Sequence, residues 1–211
     1  MRPLSRILPL FVLALLVGAG TAQAQYGDNA HTRGRGDGPG IREVRDRDAD
    51  RSFWFGVGLG GGNESVKFTG EQFYGDEVTA PTLTARIGGT PNRMLRVGAE
   101  AFVWNDQQNL NDHTVGSLLF IGQLYPGGVR QGFYLKGGVG LAWNREQQDG
   151  YTIFSDGGYG AVVGAGYEIR AGRHLAIAPT IDLHAQSYNN PGLVNDYRER
   201  VVNLGVSVVF Q

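Results

Sequence analysis

The chain has 211 residues, with 19 Lys+Arg against 20 Asp+Glu, a formal charge of −1, 34 Gly, 8 Pro and no Cys. No basic excess points to nucleic acid as a partner, and without cysteine there is neither a disulfide framework nor a lipidated thiol. Helices have little to build on in so Gly-rich a chain, and a mean hydropathy of −0.22 argues against a bundle of membrane helices but not against a barrel with a polar interior.

The first residues read as an export signal. Arg2 and Arg6 accompany an apolar run from Ile7 to Val17, and Ala22, Gln23 and Ala24 form an A-x-A site, so cleavage is expected before Gln25. The run is shorter than the ~20 residues of a membrane helix, and no second one follows. Removing residues 1–24 leaves 17 Lys+Arg against 20 Asp+Glu, a formal charge of −3. Residues 25–51 form a leader of Gly, Asp and Arg (RGRGDGPG, REVRDRDADR) with almost nothing to bury, which predicts disorder. Its Arg35-Gly36-Asp37 triplet spells an adhesion signal, but such a composition yields the triplet by chance.

From residue 52 to the end the chain divides into eight segments of alternating polarity: Ser52 to Gly60, Val78 to Gly88, Met94 to Asn105, Thr114 to Tyr125, Phe133 to Asn144, Gly157 to Arg170, His174 to Tyr188 and Arg200 to Phe210. Each is close to the ~9–11 residues that a tilted membrane strand needs. The connections Gly61–Glu77, Asp106–His113, Arg145–Asp156 and Asn189–Glu199 are long, and the other three are short. Long external loops alternating with tight periplasmic turns fit an eight-stranded antiparallel transmembrane β-barrel, an up-and-down meander with both ends periplasmic.

Strand faces follow from the period of two. In the third segment Leu95, Val97, Ala99, Ala101 and Val103 oppose Arg96, Gly98 and Glu100, and in the seventh Leu175, Ile177, Pro179, Ile181 and Leu183 oppose His174, Thr180, Asp182 and His184. The fourth is ambiguous, because Leu118, Phe120 and Leu124 compete with Leu119 and Ile121 for the lipid face. Pro179 cannot donate to a ladder, so a bulge is expected there. Aromatics at headgroup level should mark strand ends: Phe53, Phe55, Tyr125, Phe133, Tyr167 and Phe210 on the periplasmic side, Trp104, Trp143, Tyr159 and Tyr188 on the external side.

Inward charges come from several strands and carry both signs: Arg86, Arg96, Glu100, Lys136, Glu168 and Asp182, with His184 nearby. Side chains just fill an eight-stranded lumen, so this polar network is expected to pair and plug it. A narrow ion path is the alternative, although the set lacks the rows of one sign that a selective channel would show. Gly56, Gly58 and Gly61 match G-x-G-x-x-G, but no helix pattern follows, and inward glycines such as Gly138, Gly140, Gly164 and Gly166 are better explained by crowding. The histidines, His31, His113, His174 and His184, are scattered, and no metal or cofactor is expected. Loop acids such as Glu71, Asp76, Glu77, Asp106 and Asp112 read as solvated charges, with Ca²⁺ or lipopolysaccharide bridging left open.

His184, Ser187 and Glu199 hold the residue types of a nucleophilic triad, and HAQSYNNPG superficially resembles the His/Ser region of outer-membrane lipid A deacylases. Their His and Ser are two positions apart; here the spacing is three, which on a strand puts the two on opposite faces. FWFGVGLGGG, YLKGGVGLAW and the closing VVNLGVSVVFQ resemble the small OmpA-like and OmpX-like outer-membrane barrels across residues 52–211. The resemblance implies that the last strand, Val202, Leu204, Val206, Val208 and Phe210, is the signal read by the barrel assembly machinery, with Gln211 a departure because the aromatic is not terminal. It also implies residence in a Gram-negative-type outer membrane among lipid and lipopolysaccharide. The expected role is non-enzymatic, structural or adhesive, with an extracellular partner met by the loops; a narrow channel and a lipid A-modifying enzyme are the alternatives.

Overall fold

The computed structural model describes residues 52–211 apart from 69, 109–110, 130–131, 149–150 and 189–196. The predicted signal, the leader with its Arg35-Gly36-Asp37 triplet and His31 lie outside the described residues. The strands are β1 (Phe53–Phe68), β2 (Val78–Asn92), β3 (Leu95–Gln108), β4 (Asn111–Leu124), β5 (Phe133–Gln148), β6 (Tyr151–Tyr167), β7 (Ile169–Arg170), β8 (Leu175–Tyr188) and β9 (Tyr197–Phe210). Pairing is antiparallel throughout; β1 pairs β9 and β6 pairs β8, so with β7 continuing β6 the chain closes an eight-stranded up-and-down barrel.

Period-two alternation decides the two faces. Leu59, Phe120 and Val139 stand 71%, 65% and 66% exposed on the outside, an apolar surface that water would not tolerate and lipid does. In β4, Leu118, Phe120 and Leu124 point outward while Leu119 and Ile121 are buried inside. The lumen holds the core: Trp54, Leu119, Ile121 and Val162 pack in one cluster, and Phe102, Trp104, Val115 and Val201 in another.

Two expectations about strand shape are corrected. Pro179 lies in β8 without a bulge: Gly166↔Thr180 and Ile169↔Ile177 keep one register on either side, as does Pro179↔Val206 toward β9. What the missing N–H removes is a rung opposite Tyr167 and Glu168, and this separates β7 from β6. The external loops also shrink. β3 and β4 pair as far as Gln108↔Asn111, and β5 and β6 as far as Gln148↔Tyr151. In these extensions the outward face is polar as well, so the alternation disappears from the sequence while the backbone goes on pairing.

The aromatic belts are thinner than the sequence predicts. Phe53, Phe55, Phe133, Tyr167 and Phe210 face outward at the periplasmic end, with the Phe55 and Phe210 rings stacked at 4.6 Å. Trp143 and Tyr159 are exposed at the external end. Tyr125, Trp104 and Tyr188 are instead wholly buried, because each stands on the inward side of its chain position and fills the lumen.

Candidate functional site

All seven residues expected in the lumen are buried there: Arg86, Arg96, Glu100, Lys136, Glu168, Asp182 and His184. They form layers rather than one network. At the periplasmic end Arg96 donates to Glu168 Oε1 at 2.5 Å, to the Tyr125 hydroxyl at 3.0 Å and to Gln211 Oε1 at 2.6 Å. Tyr125 donates to the same Glu168 oxygen at 2.8 Å, and the Gln211 amide reaches Glu168 Oε2 at 3.3 Å. Tyr125 sits in the turn after β4; burial first, and then the Glu168 carboxylate, raises its phenol above the ordinary range, which keeps it a donor.

Glu168 reaches this layer by the same alternation that turns Gly164 and Gly166 inward. Its backbone N–H donates to Gly132 O at 2.8 Å, and Gly132 has φ +87°, in a left-handed turn where a Cβ would strike the Glu168 carbonyl.

The middle layer centres on Lys136, whose Nζ lies 2.6 Å from Glu100 Oε2 and 3.0 Å from Asp182 Oδ1. Arg86 Nε is 3.9 Å from Glu100, and its other nitrogens donate to the Tyr134 hydroxyl at 3.2 Å and to Ser207 at 2.5 Å. The two layers hold Arg86, Arg96 and Lys136 against Glu100, Glu168 and Asp182, a charge balance within a low-dielectric tube. His184 stands apart from it. Its ring stacks on Phe102 with centroids 3.7 Å apart, and neither ring nitrogen has a hydrogen-bond partner.

The external mouth holds residues that the sequence assigns to loops. Glu64 and Glu199, 3% and 1% exposed, point inward from β1 and β9. The Asn144 amide donates to Glu199 Oε1 and its oxygen meets His113 Nε2 at 3.1 Å, while Asp156 accepts from the Tyr197 hydroxyl at 3.2 Å. No Lys or Arg among the described residues points inward at this level, so the mouth carries one sign where the sequence leads one to expect none.

The hydrolase arrangement is not assembled. His184 and Glu199 face inward and Ser187 faces outward, and among the described residues no three His, Cys, Asp or Glu side chains cluster to hold a metal. Of the G-x-G-x-x-G residues, Gly58 gives way to Ser207 and Thr84 inside the barrel, while Gly61 meets open space outside. They share no cradle.

Solved structures with this arrangement include Neisserial surface protein A (14% identity over 75% of this chain and 97% of that one, TM-score 0.50). Ail, the attachment invasion locus protein of Yersinia pestis, matches at 15% identity over 74% of this chain and 98% of its own, with a TM-score of 0.47. OprG from Pseudomonas aeruginosa matches at 15% over 76% and 97%, with a TM-score of 0.41. The fold is that of the OmpA-like and OmpX-like outer-membrane barrels. No protein-family model matches the sequence, and a search of the curated proteins finds no match. The exposed apolar band of the barrel fits a surround of lipid rather than water. On this barrel Val202, Leu204, Val206, Val208 and Phe210 form the outward row of β9, and Gln211 turns its side chain in toward Arg96 and Glu168.

Proposed function

We propose that this is a non-enzymatic outer-membrane barrel whose lumen is closed by ion pairs and whose work is done at its external rim. The observation that carries the reading is the balance of Arg86, Arg96 and Lys136 against Glu100, Glu168 and Asp182 across the lower lumen. Each of these charges is desolvated, so an ion in transit would have to break pairs that cannot find water instead. The separation of Ser187 from His184 speaks against acyl-ester chemistry.

A surface role is supported by strands of 14 to 17 residues, longer than the membrane needs, which lift side chains clear of the lipid. Phe73, Tyr151 and Ile153 are exposed at or near the external ends, and apolar side chains presented to water favour a protein or cell-surface partner. The lipid-facing row of β9 is proposed to serve recognition by the assembly machinery, and lipopolysaccharide to be the outer-leaflet neighbour.

Planar-bilayer recordings on the folded protein test the plug: no steady conductance step is expected, and reproducible steps would establish the channel alternative. A Phe73→Ser, Tyr151→Ser, Ile153→Ser variant should lose cell adhesion while keeping heat-dependent gel mobility; undiminished adhesion would remove the rim from the account.

A further inference from the structure

We propose that the covered external mouth of the lumen binds one hydrated divalent cation, of the Mg²⁺ or Ca²⁺ class, between Glu64 and Glu199. In the β1–β9 ladder Glu64 lies opposite Val201 and Glu199 opposite Val66, so the two carboxylates are diagonal inward neighbours on adjacent strands. Such neighbours lie ~7–8 Å apart at the backbone, within reach of long side chains. Glu64 is close enough to repel both Glu199 and Asp106, and Glu199 close enough to repel Asp156. Glu64 and Glu199 thus share the mouth from β1 and β9, with Asp106 of β3 near the first and Asp156 of β6 near the second.

The acids alone would not make a site. What points to a ligand is that Glu64 Oε1 and Glu199 Oε2 are fully enclosed and have no hydrogen-bond partner, in side chains more than nine-tenths buried. Polar atoms enclosed in this way are satisfied in folded proteins by a counter-charge, water or an ion. In the layers below, Arg and Lys supply the counter-charge, although Glu100 Oε1, Arg86 Nε and Arg96 Nε likewise lack a hydrogen-bond partner. At the mouth the proposed cation takes that place.

The ligand chemistry follows from the donors. Two carboxyl groups supply hard oxygens, and among the described residues no group of three acids or histidines is placed to complete a protein-only cage. That matches an ion held by one or two carboxylates that keeps water in its remaining positions. The stacked rings of Tyr188 and Tyr197, 4.8 Å apart, belong to an apolar cluster at the same end that shields the pair from bulk solvent, and they leave no place for a bulky organic cation.

The test uses the full chain folded in detergent micelles, stripped with a chelator and dialysed against MgCl₂ or CaCl₂. One ion per chain is expected by elemental analysis, together with a rise of about 5–10 °C in the heat-dependent gel-mobility transition at saturation, absent in NaCl of equal ionic strength. E64Q/E199Q should lose both effects; if that variant does not fold, E199Q alone with the same ion count replaces it. No bound ion in the wild-type chain, or undiminished binding in the variants, overturns the proposal.

Discussion

Arg96 has no exposed surface, yet its guanidinium serves Glu168, Tyr125 and Gln211 at once. Arg96→Ala leaves the Glu168 carboxylate buried without a cation, at an expected cost of about 3–5 kcal/mol. Removing both charges as Arg96→Met with Glu168→Leu should recover most of that loss, measured by urea unfolding in lipid vesicles; a double variant as unstable as the single one would show that the pair is not the source. Asp182 depends on a neighbour of another kind. Its carboxylate occupies the space that a Cβ on Gly164 would take, so Gly164→Val should push it away from Lys136, at about 1–3 kcal/mol. Because both changes act on one contact, Gly164→Val should add little to Asp182→Asn; full additivity would contradict the geometry. At this scale the charges were legible, since period two put Arg96 and Glu100 on one face. Glu168 and Lys136 were expected beside them, but Tyr125 and Gln211 were not, because both lie just beyond the strand ends, where no period operates.

Pro179 shows what an element tolerates. The ladder continues in register on both sides of it, and only the rung toward Tyr167 is lost. Pro179→Val restores a donor facing that gap and should stabilise the barrel by about 0.5–1.5 kcal/mol, with a new slowly exchanging amide at position 179. Exchange as fast as in an exposed turn would mean that the gap has another cause. The eight strands and their periplasmic ends were readable from apolar alternation and turn residues. Their external ends were not: Asp106–Gln108 and Asn111–His113 are polar on both faces and read as loop, yet they pair residue for residue. For the same reason Glu64 and Glu199 looked like loop acids, although strand pairing carries both into the lumen.

For the whole molecule, lumen and lipid surface compete for the same large side chains, and strand position alone does not say which receives them. Charge is layered along the axis, balanced through the ion-paired lower half and acidic at the mouth, so the interior has a direction as well as a plug. The three tryptophans report how the barrel meets its membrane. Trp54 and Trp104 are enclosed, the first donating to Gly89 O at 3.2 Å and the second to Gly62 O at 2.8 Å. Trp143 stands outside, and its ring covers the site where Gly116 lacks a side chain. Indoles at an interface sit among lipid headgroups and upper acyl chains, so lipids brominated near the headgroup should quench Trp143 and leave the other two bright. In Trp143→Phe the remaining emission should be insensitive to bromination, while in Trp104→Phe the quenched fraction should persist. Strong quenching after the loss of Trp143 would put a second indole in lipid, and the inward assignment of Trp54 and Trp104, on which the packing of the lumen depends, would have to be reversed.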